Sequence, residues 1–233
     1  MAIMEKNALE NPTKERVKTS LSFLGEKLEL YENQGRRILM TSSFQTQSVP
    51  LLHLISRHFP GVEVLFIDTG FLFAETYAFK NQLERQMGLN IKVLESERTY
   101  AAQKDSRGLF LYASDTDKCC RINKVIPLNN YLKPGDVWIS GVRRDQTPWR
   151  SEMESEETDS RGITRLHPML DWTARDIYRY INHFGLPKHP LENKGFDSIG
   201  CVPCTHPCDL EGDRGGRWLG SNKTECGLHT ENR

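Results

Sequence analysis

Arg37-Ile38-Leu39-Met40-Thr41-Ser42-Ser43-Phe44-Gln45-Thr46-Gln47-Ser48 passes from an apolar run into a stretch of hydroxyls and amides. A helical pattern follows, with Leu51, Leu52 and Ile55 on one face of a segment running from Gln47 to Phe59. The order is strand, polar loop, helix. Backbone amides in such a loop, with a helix N-terminus behind them, are suited to holding phosphate oxygens. Ser42, Ser43 and Ser48 are therefore candidate substrate contacts. Hydroxyl-rich loops also serve simply as N-caps, so the loop does not decide function by itself.

The same unit recurs downstream. Val62 to Ile67 reads as a buried strand ending in Asp68-Thr69-Gly70, Phe73 to Met87 as a helix and Asn90 to Leu94 as a third strand. Asp136 to Gly141 is a fourth strand and Ile163 to His167 a short fifth; Asp171-Trp172-Thr173 caps a helix from Ala174 to Phe184. This alternation predicts an α/β fold, a doubly wound, mostly parallel sheet with ligands at the C-terminal strand ends. Upstream, Val17, Leu21, Leu24, Leu28 and Tyr31 recur at helical spacing, which predicts an amphipathic packing helix. Ser114 to Leu132 reads as a helix, Glu152 to Asp159 as a solvated acidic loop, and the chain from Lys188 onward as an irregular extension. Three stretches result: a helical segment over 1–34, an α/β unit over 35–190 and a tail over 191–233.

Lys plus Arg and Asp plus Glu number 31 each in 233 residues, so no global field points to nucleic acid or a membrane surface. Any anionic ligand must be met by local clusters. No apolar run reaches membrane-span length and 1–18 lacks a secretory core, which predicts a cytoplasmic protein. In a reducing compartment, six cysteines at C-C and C-x-x-C spacings suit metal or redox chemistry better than structural disulfides.

Cys119-Cys120 and Cys201-Val202-Pro203-Cys204 supply four thiols, enough for tetrahedral zinc or an iron–sulfur cluster. Adjacent side chains diverge, so neighbouring cysteines chelate one small ion awkwardly, whereas a cubane presents separate iron corners. A four-iron, four-sulfur cluster is the expectation. Cys208 and His206 offer further ligands beyond the four. Cys226 stands apart, in a polar neighbourhood with Lys223 and His229 that would favour its thiolate. It is the candidate nucleophile, on a glycine-rich flap able to fold over a ligand. Gly141 closes the fourth strand and delivers Arg143, Arg144 and Arg150; Arg214 and Arg217 lie on the flap, and Lys124 follows Cys120 by about one helical turn. Guanidinium groups match phosphate and sulfate oxygens. Together these residues predict a cationic site within a protein of zero net charge.

Cys119-Cys120 with Lys124, Gly141-Val142-Arg143-Arg144-Asp145-Gln146-Thr147, Cys201-x-x-Cys204 and Glu225-Cys226-Gly227-Leu228-His229 occur in the order of a known signature. From about Gly35 to its end the chain resembles the assimilatory adenylyl-sulfate reductases within the phosphoadenylyl-sulfate reductase family. The resemblance implies a fold like the adenine-nucleotide α-hydrolases. Relatives that cleave ATP carry a Ser-Gly-Gly-x-Asp-Ser type loop; here the paired glycines and aspartate are missing, which argues against pyrophosphatase chemistry. It further implies that Cys226 attacks the sulfur of adenosine 5′-phosphosulfate, and that thioredoxin or a similar dithiol releases sulfite. Lys124, Arg143, Arg144, Arg150, Arg214, Arg217 and His229 would offset the anionic charge. The nearest rival is reduction of the 3′-phosphorylated nucleotide; an ATP-dependent adenylylating or sulfur-inserting enzyme and a non-catalytic iron–sulfur sensor are the readings from other classes. Whether the chain forms a homo-oligomer is not encoded in any of these motifs.

Overall fold

The computed structural model describes residues 11–207, 216–218, 223, 225 and 227–230, the last two as helix backbone. Helix α1 (Asn11–Asn33) leads into strand β1 (Ile38–Ser42), α2 (Val49–His58), β2 (Glu63–Asp68), α3 (Ala74–Met87) and β3 (Ile91–Glu95). Among the described residues six strands form one sheet, in the order β3-β2-β1-β4-β6-β5, with β4 (Val137–Ser140), β5 (Glu156–Thr158) and β6 (Thr164–Leu166). Every pairing is parallel except that of β5 with β6. The chain winds outward from β1 to β3 and then returns to lay β4 on the other side of β1. That reversal between β1 and β4 opens a crevice at their carboxyl ends.

Alternation along the strands assigns the two faces of the sheet. Met40, Val64, Phe66, Val137 and Ile139 point into the larger core, shared with residues of α1, α2, α3 and α8 (Ala174–Phe184). Leu39, Leu65, Leu94 and Trp138 point the other way, onto Leu128 and Leu132 from the segment that crosses back between β3 and β4. Leu24, Leu28 and Tyr31 of α1 belong to the larger core, and Thr13 Oγ1 donates to Asp176 Oδ1 of α8 at 2.7 Å. Helix α1 is thus bound to the same body as the sheet. Among the described residues no helix is long and apolar enough to cross a membrane.

Two local readings change. The Ser114–Leu132 stretch is not one uniform helix: α4 (Leu111–Ser114) and α5 (Thr116–Cys120) lead into a π-helical turn over Arg121–Val125 and then α6 (Ile126–Tyr131). Pro127 supplies a cause, because its ring would press on the carbonyl four residues back in an α-helix, and a wider turn moves that carbonyl away. Within the acidic stretch, Glu156–Thr158 forms the edge strand β5. The hairpin is closed by Asp159, whose Oδ1 accepts from Arg161 N and Ile163 N, and by Gly162 at φ +79°. Beyond Lys188 the chain makes short 3₁₀ turns over Pro190–Lys194 and Val202–Cys204, and α9 spans Gly227–Thr230.

Both sheet edges are blunted. At β3, Lys92, Val93 and Glu95 are exposed. At β5, Glu156 is engaged by Lys27 of α1 at 2.8 Å and by the Tyr31 hydroxyl.

Candidate active site

The crevice between β1 and β4 holds a cavity of about 180 Å³. Its wall includes Ser42, Ser43 and Ser48 after β1, Gly141 after β4, and Lys124, Arg150 and Arg217 from three other segments. A chain without glycine in the β1 loop still takes a left-handed residue there: Phe44 has φ 52° and is fully buried edge-on against Phe66. The turn is closed by the Phe44 N–H donating to Ser42 Oγ at 3.1 Å and by the Ser43 and Ser48 hydroxyls bonding at 3.0 Å. The loop is also tied to the C-terminal extension. Ile199 N donates to Gln45 Oε1 at 3.0 Å, and His189 N to Thr46 Oγ1 at 2.9 Å. At Gly141 an added Cβ would lie 3.3 Å from Leu51, so the strand exit runs close to α2.

The arginines diverge. Arg150 lies on α7 (Pro148–Ser151), whose N-cap is Thr147. Its guanidinium faces the cavity and bonds Glu225, with Nε to Oε2 and Nη2 to Oε1 each at 2.8 Å. Arg217 reaches the cavity lying over Gly200, with Nε donating to Cys204 O at 3.3 Å and its guanidinium carbon 4.5 Å from the Trp218 ring centre. Arg143 and Arg144 are not brought to the cavity wall. Arg143 is 1% exposed and braces the loop from behind, Nε to Asp145 Oδ1 at 2.9 Å and Nη1 to Gln47 Oε1 at 2.6 Å. Arg144 turns outward to Asp171 Oδ1 at 3.0 Å and to the carbonyls of Ser151 and Met153. Consecutive residues leaving a strand point apart, which separates these two from each other and from the site.

A second, apolar-walled cavity adjoins the first, sharing Thr69 and Lys124 with it, and is lined by Cys119, Cys120, Cys201 and Cys204. All four thiols are buried. Asp115 caps α5 by accepting from Lys118 N at 2.9 Å, and the π turn that follows carries Lys124. Val202 N donates to Phe71 O at 2.7 Å and Leu72 bridges Cys201, fixing the C-x-x-C turn against the end of β2. Thr69 Oγ1 lies 3.2 Å from Cys201 Sγ, and Asn123 Nδ2 lies 3.6 Å from Cys119 Sγ. Burial, then the neighbouring Cys120, pushes the Cys119 thiol up to about 11. Burial likewise pushes Cys204 up to about 11, against the pull of Lys124 and Arg217. Among the described residues no group of three or more His, Cys, Asp and Glu side chains is arranged to hold a single metal ion. His206 is exposed and does not line the cysteine cavity.

Cys226, Cys208, Arg214 and the side chain of His229 lie outside the described residues. Their neighbours Glu225, Gly227 and Leu228 are described, and Leu228 reaches the wall of the larger cavity. Residue chemistry did not single out Gln45, Gln47, Gln146, Thr147 or Glu225, which hold the site together. Uncharged amides carry no reactive signature, and Glu225 was visible only as part of the Cys226 motif.

Residues 37–207 match the phosphoadenosine phosphosulfate reductase domain. An adenosine 5′-phosphosulfate reductase of Halalkalibacterium halodurans is 38% identical over 202 residues, 85% of this chain and 87% of its own. A phosphoadenosine 5′-phosphosulfate reductase of Gloeobacter violaceus is 40% identical over 200 residues, 84% of this chain and 83% of its own. In fold, the chain is similar to the crystal structure of a phosphoadenylyl-sulfate reductase from Candida auris in complex with phosphate, with TM-score 0.66 at 19% identity over 87% of this chain and 97% of that one. The crevice, the converging thiols and the sequence likeness agree: the chain belongs to the phosphoadenosine phosphosulfate reductase family.

Proposed function

We propose that the protein is a thioredoxin-dependent reductase of adenosine 5′-phosphosulfate, releasing AMP and sulfite. The observation that carries this reading is the sharing of Lys124 and Thr69 between the crevice cavity and the four-cysteine cavity, which puts a cation between a nucleotide site and a thiol cluster. The Ser42 loop would receive the nucleotide phosphate, and Lys124, Arg150 and Arg217 would offset the charge of the sulfated end, which otherwise repels a thiolate. Cys226 would attack the sulfate sulfur; the S–O bond to phosphate breaks, AMP leaves with its electron pair, and an S-sulfocysteine remains. A dithiol such as thioredoxin then attacks the Cys226 sulfur, sulfite leaves, and the second thiol of the donor resolves the mixed disulfide, returning the Cys226 thiolate. The two electrons come from the dithiol.

The four buried thiols fit a four-iron, four-sulfur cluster. Each thiolate of a cubane takes its own iron, so adjacent cysteines can both ligate. The cluster's iron would favour as thiolates the very groups that burial holds as thiols, and Thr69 and Asn123 would hydrogen-bond the ligand sulfurs. With its four thiolates such a cluster would carry net negative charge, which Lys124 on the shared wall of the two cavities would offset. Arg143 would act by bracing Gln47 and the loop rather than by touching substrate.

A second reading, reduction of the 3′-phosphorylated nucleotide, is favoured by the Gloeobacter relative's name at 40% identity. Sulfite release from each nucleotide, assayed anaerobically with reduced thioredoxin, separates the two. Preference for adenosine 5′-phosphosulfate by about tenfold or more in kcat/KM is expected; the opposite preference transfers the assignment, and no sulfite from either removes both.

A further inference from the structure

Gln45 and Gln47 both line the crevice cavity, on the loop that follows β1. A glutamine amide carries one accepting atom and one donating atom, and the groups it meets decide which way round it sits. Gln45 meets the Ile199 N–H at 3.0 Å, a group that can only donate, so the atom in contact is Oε1. Gln47 meets Nη1 of Arg143 at 2.6 Å, which likewise only donates. Its second neighbour agrees. Gln146 Oε1 accepts from the Arg143 N–H at 3.1 Å and from Arg150 Nη1, which turns Gln146 Nε2 toward Gln47 Oε1 at 3.3 Å. Both loop glutamines thus have their oxygens occupied by protein donors. Among the described residues neither Nε2 meets an acceptor, so these N–H groups are left for the cavity. The backbone of the loop has already committed several of its own donors. The Phe44 N–H goes to Ser42 Oγ, the Ser48 N–H to Gln45 O and the Val49 N–H to Thr46 O, while Pro50 has no N–H.

We propose that the side-chain amides of Gln45 and Gln47 are phosphate-binding donors, held in the donating orientation by Ile199, Arg143 and Gln146. This deepens the reductase reading and rests on it for the nucleotide. Side chains take over a task that such a loop usually gives to its backbone. Arg143 is then a positioning residue, acting on the nucleotide through Gln47, and neutral amides hold an oxyanion without adding to the charge of Lys124, Arg150 and Arg217.

Gln47→Glu separates a donor from a brace. Its carboxylate still accepts from Arg143 and Gln146, and with charge those bonds strengthen, but the donating atom becomes an acceptor facing the anion. Calorimetry of AMP binding to the anaerobically purified protein should show weakening by about thirtyfold or more, with the melting temperature unchanged or raised. Gln45→Glu should behave alike, and the uncharged Gln47→Met should weaken AMP by about tenfold. The Gln47→Glu ratio should persist at about 0.5 M salt, where screening removes repulsion acting at a distance and leaves the lost contact. Adenosine 3′,5′-bisphosphate in the same titrations locates the phosphate. Parallel weakening of both nucleotides assigns the amides to the 5′-phosphate; weakening confined to the bisphosphate keeps them as donors and assigns them to a 3′-phosphate. Binding of both nucleotides by Gln47→Glu within about twofold of wild type, a ratio that vanishes with salt, or no binding of either nucleotide by wild type would overturn the proposal. If the contrast holds but wild type releases no sulfite from either nucleotide sulfate, the donors stand and the reductase reading falls.

Discussion

Gly200 leaves room for Arg217 that no other residue could. A Cβ there would lie 2.5 Å from Nη2, 2.7 Å from Cζ and 2.8 Å from Nη1 of Arg217. Those atoms end a flexible side chain, so Gly200→Ala should be absorbed by moving the guanidinium rather than by unfolding. Arg217 would give up its bonds to Cys204 O and Ser198 Oγ and leave the cavity wall. Gly200→Ala should weaken adenosine 5′-phosphosulfate binding in calorimetry by about tenfold, the worth of one charge-assisted bond, while the melting temperature changes by no more than about 4 °C. At this scale the sequence was legible for residue type and not for direction. Arg143, Arg144 and Arg150 looked alike as cations near a strand exit; only Arg150 lines the cavity, because the other two are turned by Asp145, Gln47 and Asp171.

At the scale of elements, the run from α5 through the π turn to α6 sets both the cysteine pair and Lys124. Its N-terminus depends on the Asp115 side chain, which accepts from Lys118 N at 2.9 Å. Asp115→Ala should cost about 1 kcal/mol, seen as a fall of about 2–4 °C in melting temperature, and should lower the iron bound per chain after anaerobic reconstitution. Asp115→Asn, which can still cap, should retain both. The parallel strands were legible because buried strands read as apolar runs closed by turn residues, and the crevice followed from their order. The edge strand β5 was not, since Glu156 and Glu157 resemble solvent-facing loop; its pairing with β6 is imposed by the Asp159–Gly162 turn. Nor does local periodicity announce a π turn, which adds one residue to a repeat otherwise unchanged.

Across the whole molecule, His189 joins the extension to the sheet. Its backbone N–H reaches Thr46 of the β1 loop, its Nε2 meets Thr76 of α3 at 3.1 Å, and its Nδ1 accepts from Leu191 N. Burial holds the imidazole down at about 4, whereas an unfolded chain protonates near 6.5. Unfolding therefore takes up a proton between those values, so the stability that this residue contributes is complete above about pH 6.5 and is lost as pH falls toward 4. Urea denaturation should show about 2 kcal/mol less stability at pH 4.5 than at pH 7 from this source, and His189→Gln should flatten the slope by that amount. Because Thr46 and the extension share that histidine, acid should loosen the β1 loop and the cysteine-bearing extension together. The borders of the sheet have a different consequence. With 31 positive and 31 negative side chains, copies of this protein feel little long-range repulsion. Keeping one sheet from extending into the next then falls to its margins: Lys92 and Glu95 at β3, and a Glu156 covered by α1 at β5. Colloidal behaviour here is governed by where a handful of charges sit, not by how many the chain carries.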